Sequence, residues 1–508
     1  MSTSINTSPR VLVVGAGVGG LTAAAWLAGA GCDVQLLERA ATPGGKLREV
    51  ALGSSRLDAG PTVLTMRWVF DELFAQLGTP PAGALQLHAA DVLARHAWSA
   101  DEWMDLPADL QAAVDAIGRF AGAAEARRYL DFCDRAQRIH DALQAPYLVA
   151  SRPSLPALLW RGGWRGLPAL ARISPFTSLW SALGRHFADP RLRQLFGRYA
   201  TYCGSSPWLA PATLMLVAHV ERSGVWFVEG GMQRLAEALA AVAQRQGARL
   251  RCGAEVEQIL VQGGRACGVQ LAGGERLEAD AVVFNGDVAA LGAGLLGPAA
   301  QRGWRGPPAR SLSALTWHLQ ARSEGPALHR HNVFFGADYR AEFDALAAGH
   351  LPPDPTVYLC AQDRPGRPGA NEPERLMALV NAPARPLDAE EIAACQEASF
   401  QRLQRCGLNL VPQAPPLVTA PQHFAALFPG TSGALYGTPT HGWQASFQRP
   451  GATSPLPGLF LAGGSVHPGP GLPMAALSGR QAALHVLKAW ASTRRWPAMV
   501  MPGGTSTR

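Results

Sequence analysis

The chain predicts an α/β fold assembled from separated stretches, and three of them carry that expectation. Residues 10–38 read strand, glycine turn, helix, strand, acid. Residues 41–48 place a second glycine turn just after that second strand. Residues 459–480 read strand, glycine-rich loop, helix.

The first stretch opens on Arg10-Val-Leu-Val-Val14, a short β-branched run that suits a buried parallel strand. Gly15-Ala-Gly17-Val-Gly-Gly20 follows, then Ala-rich sequence to Gly29 with helical propensity. Asp33-Val-Gln-Leu-Leu37 gives a second strand that ends at Glu38. Each part of this order has a task in dinucleotide binding. Gly15 permits a tight turn, Gly17 admits a pyrophosphate close to the backbone, and Gly20 lets the helix pack on the strand. The helix N-terminus offers unpaired N–H groups to phosphate. Glu38 stands where a carboxylate accepts bonds from an adenosine ribose.

Ala41-Thr-Pro-Gly44-Gly45-Lys46-Leu-Arg48 adds a second glycine turn with two cations. Asp58 comes soon after and reads as structural in preference to catalytic. Farther on, Met232, Leu235, Leu239 and Val242 share one helical face, and Gly247 suits the helix end. Short strands are expected at 249–252, 256–261, 266–271 and 281–284, with Gly-Gly hairpin turns, as one small antiparallel sheet. The C-terminal stretch Leu459 to Ser465 runs into Val466-His467-Pro468-Gly469-Pro470-Gly471-Leu472-Pro473 and a helix from Met474. This makes a second cradle for an anion or dipole. His467, followed by Pro-Gly, reads as a loop-shaping residue ahead of an acid or base.

Composition narrows the partners. Of 508 residues 48% are hydrophobic and only 16% are charged, below the roughly 25% of ordinary soluble proteins. Such a chain is not disordered. The net charge is +7, with no Lys/Arg block and no recognition-helix motif, so nucleic acid is not an expected partner. Eight cysteines show no CxxC spacing, and no HxxxH or GxSxG occurs. Neither a metal site nor acyl-transfer chemistry is expected. No transmembrane helix and no signal peptide are expected. From Tyr147 to Phe187 there is no acidic residue, and Trp160, Arg161, Trp164 and Arg165 lie among leucines. Trp and Arg at the edge of an apolar face suit a lipid headgroup boundary, so peripheral membrane contact is expected there.

The two glycine turns, together with Asp58 to Met66, Tyr199 to Pro207, Asn332 to Phe335, His441 to Phe447 and Gly464 to Met474, resemble bacterial carotenoid desaturases of the phytoene desaturase family. Within it they are most similar to the branch acting on 1-hydroxycarotenoids. The likeness runs from about Val11 to Trp490. It implies an FAD-binding Rossmann-like domain of the amine oxidase/phytoene desaturase type, a mixed-sheet substrate domain and a helical membrane-facing subdomain. The implied boundaries are 1–66, 226–300 and 441–495 for the FAD domain. Residues 67–225 form the substrate and helical region, 301–440 the substrate sheet and 496–508 a flexible tail.

The resemblance implies FAD contacts at Gly15, Gly17, Gly20, Glu38, Gly45, Lys46, Val256, Gly464, Ser465, Pro473 and Met474. Val256 would give a backbone contact to adenine. Ser465 replaces the acid that bonds the ribityl chain in many relatives. The implied reaction removes two hydrogens from C-3 and C-4 of an acyclic C40 carotenoid bearing a 1-hydroxy or 1-methoxy end. A hydride would pass to flavin N5 and a proton would leave the neighbouring carbon. No catalytic residue can be named. Oxygen or a membrane quinone would reoxidise the flavin. The enzyme would work at the cytoplasmic side of a bacterial membrane, as a peripheral protein. A phytoene-type desaturase is the alternative, with a flavin amine oxidase or a non-catalytic lipid-binding relative less favoured.

Overall fold

A computed structural model describes residues 8–77, 85–144, 176–304, 309–366, 372–442 and 444–493. Trp160, Arg161, Trp164 and Arg165 lie outside these residues, as do 496–508.

A five-stranded parallel sheet forms one layer, in the order Leu459–Leu461, Ala281–Phe284, Arg10–Val14, Asp33–Glu38, Arg249–Cys252. The first strand is central, and its residues Val11 to Val13 have no exposed surface. A strand buried on both faces explains the unbroken apolar run in the sequence. The sheet therefore draws on three separate regions of the chain.

Arg249–Cys252 and Ala281–Phe284 do not join the small antiparallel sheet expected of them. They join the parallel sheet, Arg249–Cys252 at its edge and Ala281–Phe284 inside it, and the antiparallel sheet holds only Val256–Gln262, Arg265–Leu271 and Arg276–Glu278. Short strands carry little sign of their pairing direction. Here the buried pattern of Ala281–Phe284, closed on both faces, matches a central parallel strand.

A second, mixed sheet has eight strands. Its path runs Asn409–Pro412, Ser313–Glu324, Glu374–Ala382, Val357–Ala361, His331–Phe334, Val92–Ala97, Trp103–Pro107, and Leu417–Thr419 pairs with Ser313–Glu324. His331–Phe334 and Val92–Ala97 run parallel, and the other pairs are antiparallel. Two strands thus come from the region read as helical, before the helices Leu110–Ala121 and Ala123–Leu143 begin. The first of these helices is capped by Asp109, which accepts the Ala112 N–H. Trp317 lies fully buried in the core beneath this sheet.

Helix Val18–Gly29 is covered by the C-terminal helix Leu472–Thr493 and by Gln233–Arg245. The first crossing is glycine on glycine. A Cβ at Gly479 would lie 2.1 Å from the Gly19 carbonyl oxygen, and one at Gly19 would lie 3.0 Å from that of Ala475. No described helix is long and apolar enough to cross a membrane.

Gly479→Ala should push these helices apart. Overpacking of this kind costs about 1–3 kcal/mol. The expected result is a lower melting temperature with weakened flavin retention, read by calorimetry and absorbance. Wild-type melting would show that the glycine contact does not set the helix spacing.

Candidate active site

Where the parallel strands end, a cavity of about 1830 Å³ opens. A pocket for one drug-sized ligand is typically ~300–1,000 Å³, so this one has room for a cofactor and a second molecule. It is lined by Gly15, Gly17, Glu38, Gly45, Lys46, Val256, Gly464, Ser465, Pro473 and Met474. Ten of the eleven residues expected at the cofactor therefore face one space. Gly20 does not line it. A Cβ there would sit 2.0 Å from the Gly15 carbonyl oxygen, which gives this glycine a packing task.

The cradle is built from backbone. Gly15, with φ +98°, turns the chain out of the first strand in a conformation that L side chains rarely adopt. Helix Val18–Gly29 then begins with its first-turn N–H groups at the cavity and no acid in that turn to compete for them. The second glycine turn lies against the first, and the Gly44 N–H donates to the Ala16 carbonyl at 2.8 Å. A Cβ on Gly45 would come within 3.1 Å of Gly17 Cα. By contrast, a Cβ on Gly464 would meet only ordinary contacts, the nearest at 3.5 Å. Protein packing does not demand a glycine there, whereas close approach of a ligand would.

Glu38 is buried, with 7% of its surface exposed. Its carboxylate accepts the Ala16 N–H at 2.6 Å and the Ala40 N–H at 2.9 Å. Two oxygens offer about four acceptor directions, so capacity remains toward the cavity for ribose hydroxyls. The Lys46 ammonium donates to the Leu435 carbonyl and sits 5.4 Å from the Phe428 ring centre. Burial lowers its pKa, and Asp287 opposes that shift. Ser465 Oγ accepts the Val288 N–H at 3.1 Å, which ties the C-terminal turn to the Asn285-Gly286-Asp287 segment. The acceptors, the cationic turn and the helix N-terminus fit an FAD.

Sequence reasoning missed Asn285 as a site residue. Its side chain donates to the Gly15 carbonyl at 3.0 Å and closes over Gly17, Gly19 and Gly20, each of whose Cβ positions it would obstruct. Arg449, which also lines the cavity, donates to the carbonyls of Thr438 at 2.7 Å and Tyr436 at 3.2 Å. No local motif marks it.

Asp58 lies outside the cavity lining. Both its oxygens accept the Met232 N–H, at 2.9 and 3.0 Å, at the start of helix Gln233–Arg245. This is a structural role. His467 is buried beside the cradle without lining it, and its backbone N–H donates to the Pro450 carbonyl at 2.8 Å. His140, Asp141 and His219 bring three ligand-type atoms within 4.8 Å of one another. The Arg222 guanidinium lies 3.5 Å from His219 Nδ1, which opposes a cation at that place.

Away from the cradle the cavity turns apolar, along Met66, Leu143, Leu214, Val217 and Val220. Polar groups interrupt it at Thr62 and Tyr358, and at Arg198, Tyr202 and Glu221. Tyr199 to Pro207 contributed to the family resemblance, but Tyr202 meets Glu221 19 positions on and Tyr358 meets Thr62 across 296.

Glu38→Gln should weaken FAD retention. A hydrogen bond to a charged group is worth about 1.5–3 kcal/mol, or roughly ten- to hundredfold in Kd. Flavin release on dilution measures it, and an unchanged Kd would remove Glu38 from the ribose site.

Comparison with known proteins matches the fold and the expected family. Residues 18–487 match the family described as flavin-containing amine oxidoreductases. A hydroxyneurosporene desaturase of Rubrivivax gelatinosus is 54% identical over 98% of this chain and 97% of its own. A 1-hydroxycarotenoid 3,4-desaturase of a Flavobacterium species is 29% identical over 93% of this chain and 97% of its own. An oxidoreductase structure from Methanosarcina mazei, 15% identical, superposes with a TM-score of 0.59 over 94% of this chain and all of its own, which speaks to the fold. With its double-glycine cradle and its match along almost the whole length, the chain belongs to the flavin-containing amine oxidoreductase family, alongside the hydroxyneurosporene desaturases.

Proposed function

We propose that this flavoprotein introduces the C-3,4 double bond into acyclic 1-hydroxy or 1-methoxy C40 carotenoids. The observation that carries the reading is the form of the cavity, which continues from a dinucleotide cradle into an apolar space. The names of the relatives support the same chemistry.

Bound FAD supplies the hydride acceptor for such an oxidation. The chain supplies position and dryness. Gly15, Gly17, Gly45 and Gly464 bring backbone against the cofactor, with Gly20 setting the helix behind them. Glu38 holds the ribose, and Val256 contributes a backbone contact at the adenine end. Lys46, Ser465, Pro473 and Met474 surround the other end. The apolar wall excludes water and aligns the polyene. An extended polyene stabilises cationic character at the carbon that loses hydride, so few polar side chains are needed in the substrate space.

A C40 carotenoid dissolves in lipid, so we place the enzyme peripherally at the cytoplasmic face of the membrane. Trp160, Arg161, Trp164 and Arg165 would make the contact. Phe176, close to that segment in the chain, is 78% exposed and lines the cavity. A membrane quinone or oxygen would then take the electrons.

FAD-loaded protein in liposomes should red-shift the spectrum of 1-hydroxyneurosporene and leave phytoene unchanged. A shift with phytoene alone would move the activity to an earlier desaturation. Hydrogen peroxide with amines and no carotenoid product would make the protein an amine oxidase.

The paired substitution Trp160→Ser and Trp164→Ser should reduce co-sedimentation with anionic liposomes while FAD stays bound. Equal sedimentation would remove these residues from the membrane contact.

A further inference from the structure

The apolar part of the cavity contains a buried charge with unspent donors. Arg198 opens the short 3₁₀ segment Arg198–Cys203 and lines the cavity. Its Nη2 donates to the Tyr202 hydroxyl at 2.8 Å, and that hydroxyl donates to Glu221 Oε1 at 2.7 Å. The guanidinium also sits 5.1 Å from the Tyr202 ring centre. Tyr202 is thereby fully engaged, with its oxygen accepting from one side and its proton directed to the other. Arg198 is not. A guanidinium carries five N–H donors, and among the described residues only Tyr202 accepts from this one. Its Nε is buried without a partner there.

A second polar group in this wall is saturated. Tyr358 Oη lies 2.7 Å from Thr62 Oγ1 and 2.7 Å from His331 Nδ1. Burial, with Arg330 and Arg198 adding to it, pushes the His331 pKa down to about 3, so His331 is neutral. Arg198 is thus the buried cation of this space with donors to spare. An apolar polyene gives no use for it. Burying a charge with empty donors costs several kcal/mol unless an acceptor fills them.

The place suits one acceptor. The segment ends at Gly204, where a Cβ would lie 2.5 Å from the Tyr436 ring. Tyr436 lines the cavity, and its neighbour Gly437 packs on Ser465 of the cradle, with a Cβ position 3.1 Å from Ser465 Cβ. The segment that carries Arg198 is therefore joined to the cofactor cradle through two packed contacts. In a 1-hydroxy or 1-methoxy carotenoid the oxygen is two bonds from C-2 and three from C-3. Desaturation at C-3,4 requires that oxygen to lie close to the cofactor.

We propose that Arg198, held in place by Tyr202 and Glu221, binds the C-1 oxygen of the substrate and sets which end of the polyene reacts. The inference rests on the desaturase reading above. A cationic donor serves both end groups, because a tertiary alcohol and a methyl ether each offer an accepting oxygen. Glu221 balances the charge while its own proton partner, Tyr202, keeps it out of the substrate's path.

The test compares 1-hydroxyneurosporene with the same chain lacking the oxygen. Wild-type holoenzyme should favour the hydroxylated substrate in kcat/KM by about tenfold or more. The charge-neutral double variant Arg198→Met with Glu221→Gln should bring that ratio near one while retaining FAD. A direct measurement accompanies it. Binding of the hydroxylated product, which cannot react again at that bond, is followed by quenching of tryptophan fluorescence, and the variant should lose the preference for the oxygenated ligand. Arg198→Lys, which keeps the charge and loses the fork, serves if the double variant does not retain flavin, and it should lower the same ratio. A wild-type enzyme that desaturates neither chain would overturn the desaturase reading itself. Equal wild-type rates on both chains, or a variant that keeps the wild-type ratio with FAD bound, would overturn the role of Arg198 and leave that reading standing.

Discussion

Everything at the site depends on how closely three glycine turns approach around the one side chain of Asn285. The turns after Val14, Phe284 and Leu461 all leave the same end of the parallel sheet. Gly15, Gly19 and Gly463 leave the space that Asn285 fills, and its amide holds the Gly15 carbonyl. Because the glycines of these turns carry no side chains at these contacts, the shape of the cradle is set by their backbone and by the single Asn285 amide. A methyl group at Gly20 or Gly479 would collide with a carbonyl oxygen close to 2 Å away. Backbone N–H groups of the turns and the Glu38 carboxylate are the polar groups this geometry places at the cradle.

The cavity is divided by the way each end meets its charges. At the cradle, polar atoms are neutralised by neighbouring backbone, as with Lys46 and the Leu435 carbonyl or Glu38 and the N–H groups of Ala16 and Ala40. A dinucleotide brings many charges and hydroxyls, and a wall of dipoles receives them without large desolvation. At the far end the wall is apolar, and its charges are pooled in a single buried chain from Arg198 through Tyr202 to Glu221. Burial raises the Glu221 pKa while Arg198 opposes it, so the two groups depend on each other. Such a pair is costly to break at one partner only.

Much of the cofactor half was legible because its signals are local. Gly15, Gly17, Glu38, Gly45 and Gly464 lie in short motifs whose spacing follows from one strand, one turn and one helix, and the structure brings them around one space. The small antiparallel sheet was misread in part, since Arg249–Cys252 and Ala281–Phe284 join the parallel sheet. Four-residue strands have no periodicity from which a partner can be inferred. The strand Val92–Ala97 escaped for a related reason, as it pairs with His331–Phe334 more than two hundred residues away, and Trp103–Pro107 joins the sheet through it.

The sequence by itself determined the α/β class, the dinucleotide turn and the apolar character of the chain, because each is carried by residues within one or two turns of one another. Tertiary structure alone decided what Asn285, Arg449 and the Arg198–Tyr202–Glu221 chain do. Asn285 meets Gly15 across 270 positions, and Tyr202 meets Glu221 across 19 with a loop between. A hydrogen bond needs its partners near 3 Å apart, and only the packing of the two sheets and the helices between them sets those distances.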